Sequence, residues 1–324
     1  MGMRILHSLA EAEAAGTLRG GAVAIGNMDG VHLGHQRLFD VARAWAGASR
    51  ACAGVLTFEP HPARVLRPQL APPLLTPLPR KLELLRSLGL DAAVVQPFDI
   101  AYAATPAAEF VGRDLATRLG VAHVVVGHDF TAGHERARVD ALRPLLDQHG
   151  IALHLIEPVT SDGLVVSSTK AREFLLEGKV EAASLLLTRP HDVDGAVVRG
   201  AGRGRGFGFA TANVQTEGLL PANGVYVVRA RVGGPSGPSG PDALAGAEQH
   251  GGVCSVGMKP TVDSNGGVTA EVHLLDFGGQ DLYGASIRVQ FLTRLRDERR
   301  FPSVDALRAQ IARDVEAARA FLSR

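Results

Sequence analysis

The hydrophobic period of this chain changes once along its length. Between Gly21 and Leu187, short apolar runs alternate with stretches of helical spacing. From Gly195 onward, β-branched residues alternate with polar ones between glycine-rich turns. The first pattern describes strands buried on both faces and covered by helices, which means a parallel sheet. The second describes strands with a period of two, which form an antiparallel sheet or barrel. The expectation is an α/β chain of two domains, residues 1–187 and 188–324, with the boundary near Leu187–Pro190.

In the first half, "GAVAIG" (Gly21–Gly26), "ACAGVLTF", "DAAVVQPF" and "VAHVVVG" read as strands. The helix after "GAVAIG" sets Leu38, Val41, Ala42 and Trp45 on one face. "LPRKLELLRSLG" is amphipathic and closed by Gly89. "TPAAEFVGRDLATRLG" predicts a helix capped by Thr105, with Pro106 first and Gly120 at the end. "SSTKAREFLLEGKVEAASLLL" gives a capped helix and further helix. In the second half, "GAVVRG", "NGVYVVRARV", "VTAEVHLLDF" and "SIRVQFLTRL" are strands, followed by a terminal helix capped by Ser303. The low-complexity stretch Gly233–Gly252 is expected to be a mobile insertion between two strands.

A formal net charge of +1 implies no broad electrostatic grip on nucleic acid or an anionic membrane. No apolar run approaches the roughly 18 residues of a membrane span. "MGMRILHSLAEAEAAG" is interrupted by Glu11 and Glu13, unlike a signal peptide. Leu6 stands where a myristoylation motif needs Ser or Thr. Cys52 and Cys254 lie far apart among apolar residues and read as buried free thiols. A reducing, cytoplasmic compartment follows.

The stretch "AIGNMDGVHLGHQRLFD" (Ala24–Asp40) carries the chemistry of the first half. Gly26 and Gly30 permit close backbone approach, and a helix starting near His32 or Leu33 would aim its free N–H groups into the loop. His32 and His35 then share a face beside an anion site, which suits phosphate chemistry. Taken alone, a His-x-x-His pair is as ordinary on a surface or in a core. His61, His128 and His134 match no zinc spacing with it.

The combination of strand, Gly-Asn-x-Asp-Gly, His-x-Gly-His and helix resembles the His-x-Gly-His nucleotidyltransferase superfamily. "TFEPHPARVL", "VVVGHDFTAG" and "SSTKAREFL" follow in the order of the adenylyltransferase half of prokaryotic bifunctional riboflavin kinase/FAD synthetase. The resemblance implies a Rossmann-like domain that transfers AMP from ATP to FMN, giving FAD and pyrophosphate. It implies that His32 and His35 stabilise the phosphoryl oxygens and that Gly26, Asn27 and Asp29 shape the nucleotide loop. Gly127 and Asp129 would contact adenosine, and Ser168, Thr169 and Arg172 would grip the β- and γ-phosphates. Read from the residues alone, that last triplet is a helix cap or an anion cradle. Met28 stands where the family usually has Phe, and Ala132 where a second aromatic is common.

"VVRGAGRGRGFGFATANVQ" (Val197–Gln215) is a glycine-dense loop suited to wrapping phosphates through backbone N–H groups, and it is not a Walker A loop. It resembles the riboflavin kinase loop ending in "GxPTAN", with Ala210 replacing the proline. "LPANGVYVV", "SVGMKPT", "AEVHLLDF" and "LYG" follow in family order, Ser255 replacing a common Asn. The resemblance implies an antiparallel β-barrel kinase domain ending in a helix. There Gly204 and Gly208 would line the nucleotide, Thr211 and Asn213 would position Mg²⁺ and the ATP phosphates, and Glu271 would take the proton of the riboflavin 5′-hydroxyl. Riboflavin, FMN and ATP are the implied partners, with Mg²⁺ as cofactor. Two rival readings stand beside this one. Met28, Ala132 and the absence of the family's glycine in "HERARV" motivate a riboflavin kinase with an impaired adenylyltransferase half; Ala210 and Ser255 motivate a flavin-binding regulatory module without turnover.

Overall fold

The computed structural model describes residues 2–199, 211–233, 244, 246–258, 268–278 and 282–324. The chain divides into two compact units, Met1–Pro73 with Lys81–Val166, and Leu74–Arg80 with Ser167–Arg324.

The first unit is built on a six-stranded parallel sheet. Its strands are β1 (Arg4–Leu6), β2 (Ala22–Ile25), β3 (Ala53–Glu59), β4 (Ala92–Pro97) and β5 (His123–Gly127). β6 (Thr131–Ala132) and β7 (Ala137–Arg138) form a small hairpin before the last sheet strand, β8 (Ala152–Ile156). The sheet order is β1-β4-β3-β2-β5-β8. A second hairpin pairs β9 (Thr160–Ser161) with β10 (Leu164–Val165). The helices are α1 (Leu9–Ala15), α2 (Leu33–Ala48), α3 (Pro62–Leu66), α4 (Leu78–Ser87, which counts with this unit from Lys81 onward), α5 (Ile100–Ala103), α6 (Ala107–Glu109) and α7 (Val139–Gln148).

Strand alternation sorts the core onto both faces of the sheet, because successive side chains point opposite ways. Val23, Ile25, Val124 and Val126 pack with Leu9 of α1 and Leu142 of α7. Ala22, Ala24 and Val125 pack on the other face with Leu38 and Phe39 of α2 and Leu85 of α4. The buried face of α2 is Leu38, Phe39, Ala42 and Ala46. Trp45, expected on that face, is 42% exposed and stacks on His123 and His154. The helix expected from Thr105 is capped at Pro106 instead and continues beyond α6 as a π-helix, Phe110–Leu119, ending at left-handed Gly120. Its wider turn changes the residue spacing on the buried side, which an α-helical reading of the sequence does not anticipate.

The second unit holds α8 (Ser168–Leu176) and α9 (Val180–Leu187), then a closed barrel. The barrel strands are β11 (His191–Val198), β12 (Thr211–Thr216), β13 (Gly224–Val232), β14 (Gln249–Met258), β15 (Val268–Leu274) and β16 (Ser286–Arg296), in the order β11-β12-β15-β14-β13-β16. Ala212, Val272, Cys254 and Tyr226 are partners across four strands, and all are buried. Residues of the opposite face, Val225, Val227 and Val253, pack with Ala318, Val315 and Leu322 of the terminal helix α10 (Val304–Leu322). That face is the outside of the barrel, since a helix lies on it. Ser303 caps α10 by accepting a hydrogen bond from the Ala306 N–H.

Two expectations change. Gln249–Gly252 belong to β14, paired with Arg231, Ala230, Arg229 and Val228, so the low-complexity stretch ends before Gln249. Most of what precedes it, 234–243 and 245, lies outside the described residues. Both cysteines are free thiols, but only Cys254 is buried; Cys52 is half-buried.

Candidate functional sites

In an open parallel sheet, ligands bind beyond the carboxyl ends of the strands where the strand order reverses. Here that point lies between β2 and β5. From β2 the chain moves to β3 on one side, and β5 later pairs on the other. Ala24 is level with Val125, so Gly26 and Asn27 emerge beside Gly127. The "GNMDGVHLGH" and "GHDF" segments are neighbours for this reason.

The loop from Gly26 to His32 is firmly held. The Gly26 N–H donates to the Leu56 carbonyl at 3.1 Å, and the Thr57 hydroxyl donates to the Asn27 carbonyl at 3.2 Å. The Gln36 amide donates to the Val31 carbonyl at 3.0 Å. Met28, Gly30 and Val31 all have positive φ, at 52°, 88° and 45°. For Val31 this is strained, because a β-branched side chain crowds the backbone there. Such residues cost about 1–3 kcal/mol each and gather at functional sites. Asp29 and His32 are buried, at 2% and 6% exposure.

His32 is the N-cap of α2, its Nδ1 accepting a hydrogen bond from the His35 N–H at 3.3 Å. The two imidazoles stack, with ring centroids 3.6 Å apart and planes 16° from parallel. The glycine between them is a requirement of that stack. A Cβ at position 34 would lie 3.1 Å from Cε1 of the His32 ring. His35 is half-buried as a residue, yet its Nδ1 is shielded from solvent and has no hydrogen-bond partner among the described residues. Burial first, then the neighbouring His32 and Lys81, holds the proton affinity of His35 well below the usual histidine range. The ring is therefore neutral near pH 7, and its sealed nitrogen is a buried polar atom that the described residues leave unsatisfied.

The remaining expected residues of the first domain divide between the two units. Gly127 is half-buried, and Asp129 is exposed just beyond it. Ser168, Thr169 and Arg172 lie on α8 and cluster with the second unit. Ser167, not Ser168, is the cap of α8, accepting from the Lys170 N–H at 3.1 Å. Ser168 is half-buried, Thr169 exposed and Arg172 buried in the first turns. No cluster of three or more His, Cys, Asp or Glu able to hold a metal stands among the described residues.

The two family departures of this half are core positions. Met28 is fully buried among residues of α2 and α4, and Ala132 is buried in the opposite core with Val139. Both positions therefore bear on packing behind the loops. The residue that sequence reasoning missed is Lys81, on α4 and only 2% exposed. Its signal was a lysine at i−3 and i−4 from Leu84 and Leu85, on the apolar face of "LPRKLELL".

In the barrel, register brings the expected kinase residues together. Asn213 pairs with Glu271, and Glu271 with Ser255. Thr211 pairs with His273, two residues along the same face. This row continues to Val225, so it lies on the outer face that α10 covers in part. Glu271 is half-buried there, while Cys254 beside it points inward, its thiol pushed far up by burial and by the charge of Glu271. Such a thiol is inert. Gly204, Gly208 and Ala210 lie outside the described residues.

Comparisons with known proteins cover both units. The family described as FAD synthetase matches residues 15–170, and the family described as riboflavin kinase matches residues 187–322. A bifunctional riboflavin kinase/FMN adenylyltransferase of Pseudomonas fluorescens is 38% identical over 93% of each chain. That of Bacillus subtilis is 34% identical over 93% of this chain and 92% of its own. A crystal structure of a Streptococcus pneumoniae protein described as a macrolide-efflux protein superposes with a TM-score of 0.83 at 29% identity, covering 98% of this chain and 99% of its own. In this chain no described helix is long and apolar enough to cross a membrane.

Proposed function

The chain belongs to the bifunctional riboflavin kinase/FMN adenylyltransferase family, and from that premise we propose how its residues divide the two reactions. Residues 1–187 adenylylate FMN, and residues 188–324 phosphorylate riboflavin. In the first reaction a phosphate oxygen of FMN attacks the α-phosphorus of ATP. The bond to the β-phosphate breaks, and FAD and pyrophosphate form. His32 and His35 hold the in-flight oxygens, Gly26, Asn27 and Asp29 shape the loop, and Gly127 and Asp129 contact adenosine. Ser168, Thr169 and Arg172 grip the departing phosphates. The observation that carries this reading is the stack of a neutral His35 on the N-cap His32 at the switch point of the sheet, the His35 Nδ1 being buried and without a hydrogen-bond partner among the described residues. Fixed donors at the reacting phosphate supply most of the rate in such transfers.

In the second reaction the riboflavin 5′-hydroxyl attacks the γ-phosphorus of ATP, Glu271 accepts its proton, and FMN and ADP form. The cross-strand pairing of Asn213 with Glu271 supports this, because it sets the base beside the nucleotide end of the site. The Thr211 hydroxyl and Asn213 carboxamide are hard oxygen donors that suit Mg²⁺, and the ATP phosphates would complete its shell. When bound, the ion offsets the charge gathering on the transferred phosphoryl group. Gly204 and Gly208 would line the same phosphates. The net charge of +1 argues against nucleic acid as a partner, and the two well-separated thiols fit a cytoplasmic location.

His32→Ala should lower FAD formation from FMN and Mg-ATP by about 10²-fold or more, and leave FMN formation from riboflavin within twofold. Glu271→Gln should do the reverse while riboflavin still binds. Chromatography of the flavins reads both; a folded variant that loses both activities together defeats the division.

A further inference from the structure

We propose that Lys81 is a positioning residue of the adenylylation site, acting through His35 from beneath the Gly26–His32 loop. The proposal rests on the reading of His35 as a phosphate-handling residue.

The geometry begins with α4. Leu84 and Leu85 pack in one core with Met28 and Val31 of the loop and with Leu38 and Phe39 of α2. Lys81 precedes them by three and four residues, so its side chain leaves the same face of the helix. It is only 2% exposed, on the face of α4 whose Leu84 and Leu85 pack with Met28 and Val31 of the loop. A buried ammonium is expensive unless opposite charge stands near it. Asp29, itself buried, and Glu59 at the end of β3 are within electrostatic reach and oppose the burial that lowers its proton affinity. The sequence has placed a cation and two carboxylates around one strained turn.

The consequence falls on His35. Burial acts first on its charge, and to it are added His32, stacked on the ring, and then Lys81. The ammonium disfavours an imidazolium, so His35 remains neutral when a polyphosphate, which would pull it toward protonation, arrives. A neutral ring held in one orientation presents one donor and one acceptor nitrogen. Lys81 thereby adds to burial and to His32 in keeping His35 neutral, while Asp29 and Glu59 favour the charged form of Lys81.

The test uses the full chain with FMN and Mg-ATP. FAD formation is followed against pH for wild type, Lys81→Met and Lys81→Arg, with riboflavin phosphorylation by the same preparations as the measure of folding. Lys81→Met should lower kcat for FAD at least tenfold. It should also move the acid limb of the profile to higher pH, because His35 then protonates more readily. Lys81→Arg should return the limb toward its wild-type position, and FMN formation should be unchanged in both. A Lys81→Met enzyme with wild-type FAD kcat and an unmoved limb overturns the proposal. If Lys81→Met does not fold, Lys81→Gln replaces it with the same two outcomes. His35→Asn separates the underlying reading: a variant that still makes FAD at the wild-type rate sinks the site assignment, whatever Lys81 does.

Discussion

Gly34 shows how one missing side chain governs the candidate site. It lies between the two histidines on the first turn of α2, and a Cβ there would enter the His32 ring at 3.1 Å. Alanine is a better helix former than glycine, so helix propensity alone predicts a gain from Gly34→Ala. The geometry predicts the opposite for activity. The His32 ring must give by a few tenths of an ångström, and the stack at 3.6 Å loosens. A displacement near 1 Å in a positioned group costs about 10²-fold, so this smaller one should cost about tenfold or less. Gly34→Ala should therefore lower FAD formation by several-fold, up to about tenfold, with little change in thermal midpoint, measured by circular dichroism beside the FAD assay. Met28 is the contrasting residue. It stands within the nucleotide-loop motif, yet its side chain lies in the core. Nothing in the local sequence distinguishes a loop residue that faces a ligand from one that faces inward.

At the scale of elements, the start of α4 and strand β11 are joined within the second unit by an ion pair. Arg80 Nε donates to Asp192 Oδ1 at 2.9 Å and Nη2 to Oδ2 at 2.5 Å, both side chains being buried. Burial alone would raise the Asp192 proton affinity. The bidentate bonds from Arg80, its charge, and those of Arg189 and Arg288 outweigh this and lower it. A carboxylate held below its unfolded value stabilises the fold above that unfolded value, near pH 4, and the contribution is lost as pH falls through the folded value. Asp192→Asn leaves Arg80 buried without its charge partner. It should cost about 3–5 kcal/mol, seen as a lower thermal midpoint at pH 7 than wild type. That difference should shrink as the pH is taken well below 4. An equal midpoint for the two proteins at pH 7 would show that the pair adds nothing to stability.

For the molecule as a whole, the barrel tests how far composition can be trusted. Glycine and proline mark residues 233–252 as low in complexity, yet Gln249–Gly252 are strand residues that close the β13–β14 ladder. Deleting Gln249–Gly252 should abolish FMN formation, because a closed barrel has no spare strand length. Shortening the stretch by a few residues within 234–243 should shift the thermal midpoint by no more than about 2–4 °C, the outcome that its low-complexity composition predicts. Equal damage from both deletions would place the boundary of the ladder elsewhere.

Much of this protein is legible in its sequence because the relevant forces act over short range. The change of period from helix–strand alternation to β-branched alternation fixes a parallel sheet and an antiparallel barrel. The caps at His32 and Ser303 and the left-handed end at Gly120 are local hydrogen-bond chemistry, readable within four residues. The motifs also mark where phosphates should be handled. What only the tertiary structure decided is which groups meet. Strand order brings the loops after β2 and β5 together, register sets Glu271 opposite Asn213 and Ser255, and helix packing buries Lys81 on α4. These are contacts between residues dozens of positions apart, and no local pattern encodes the direction in which a side chain will find them.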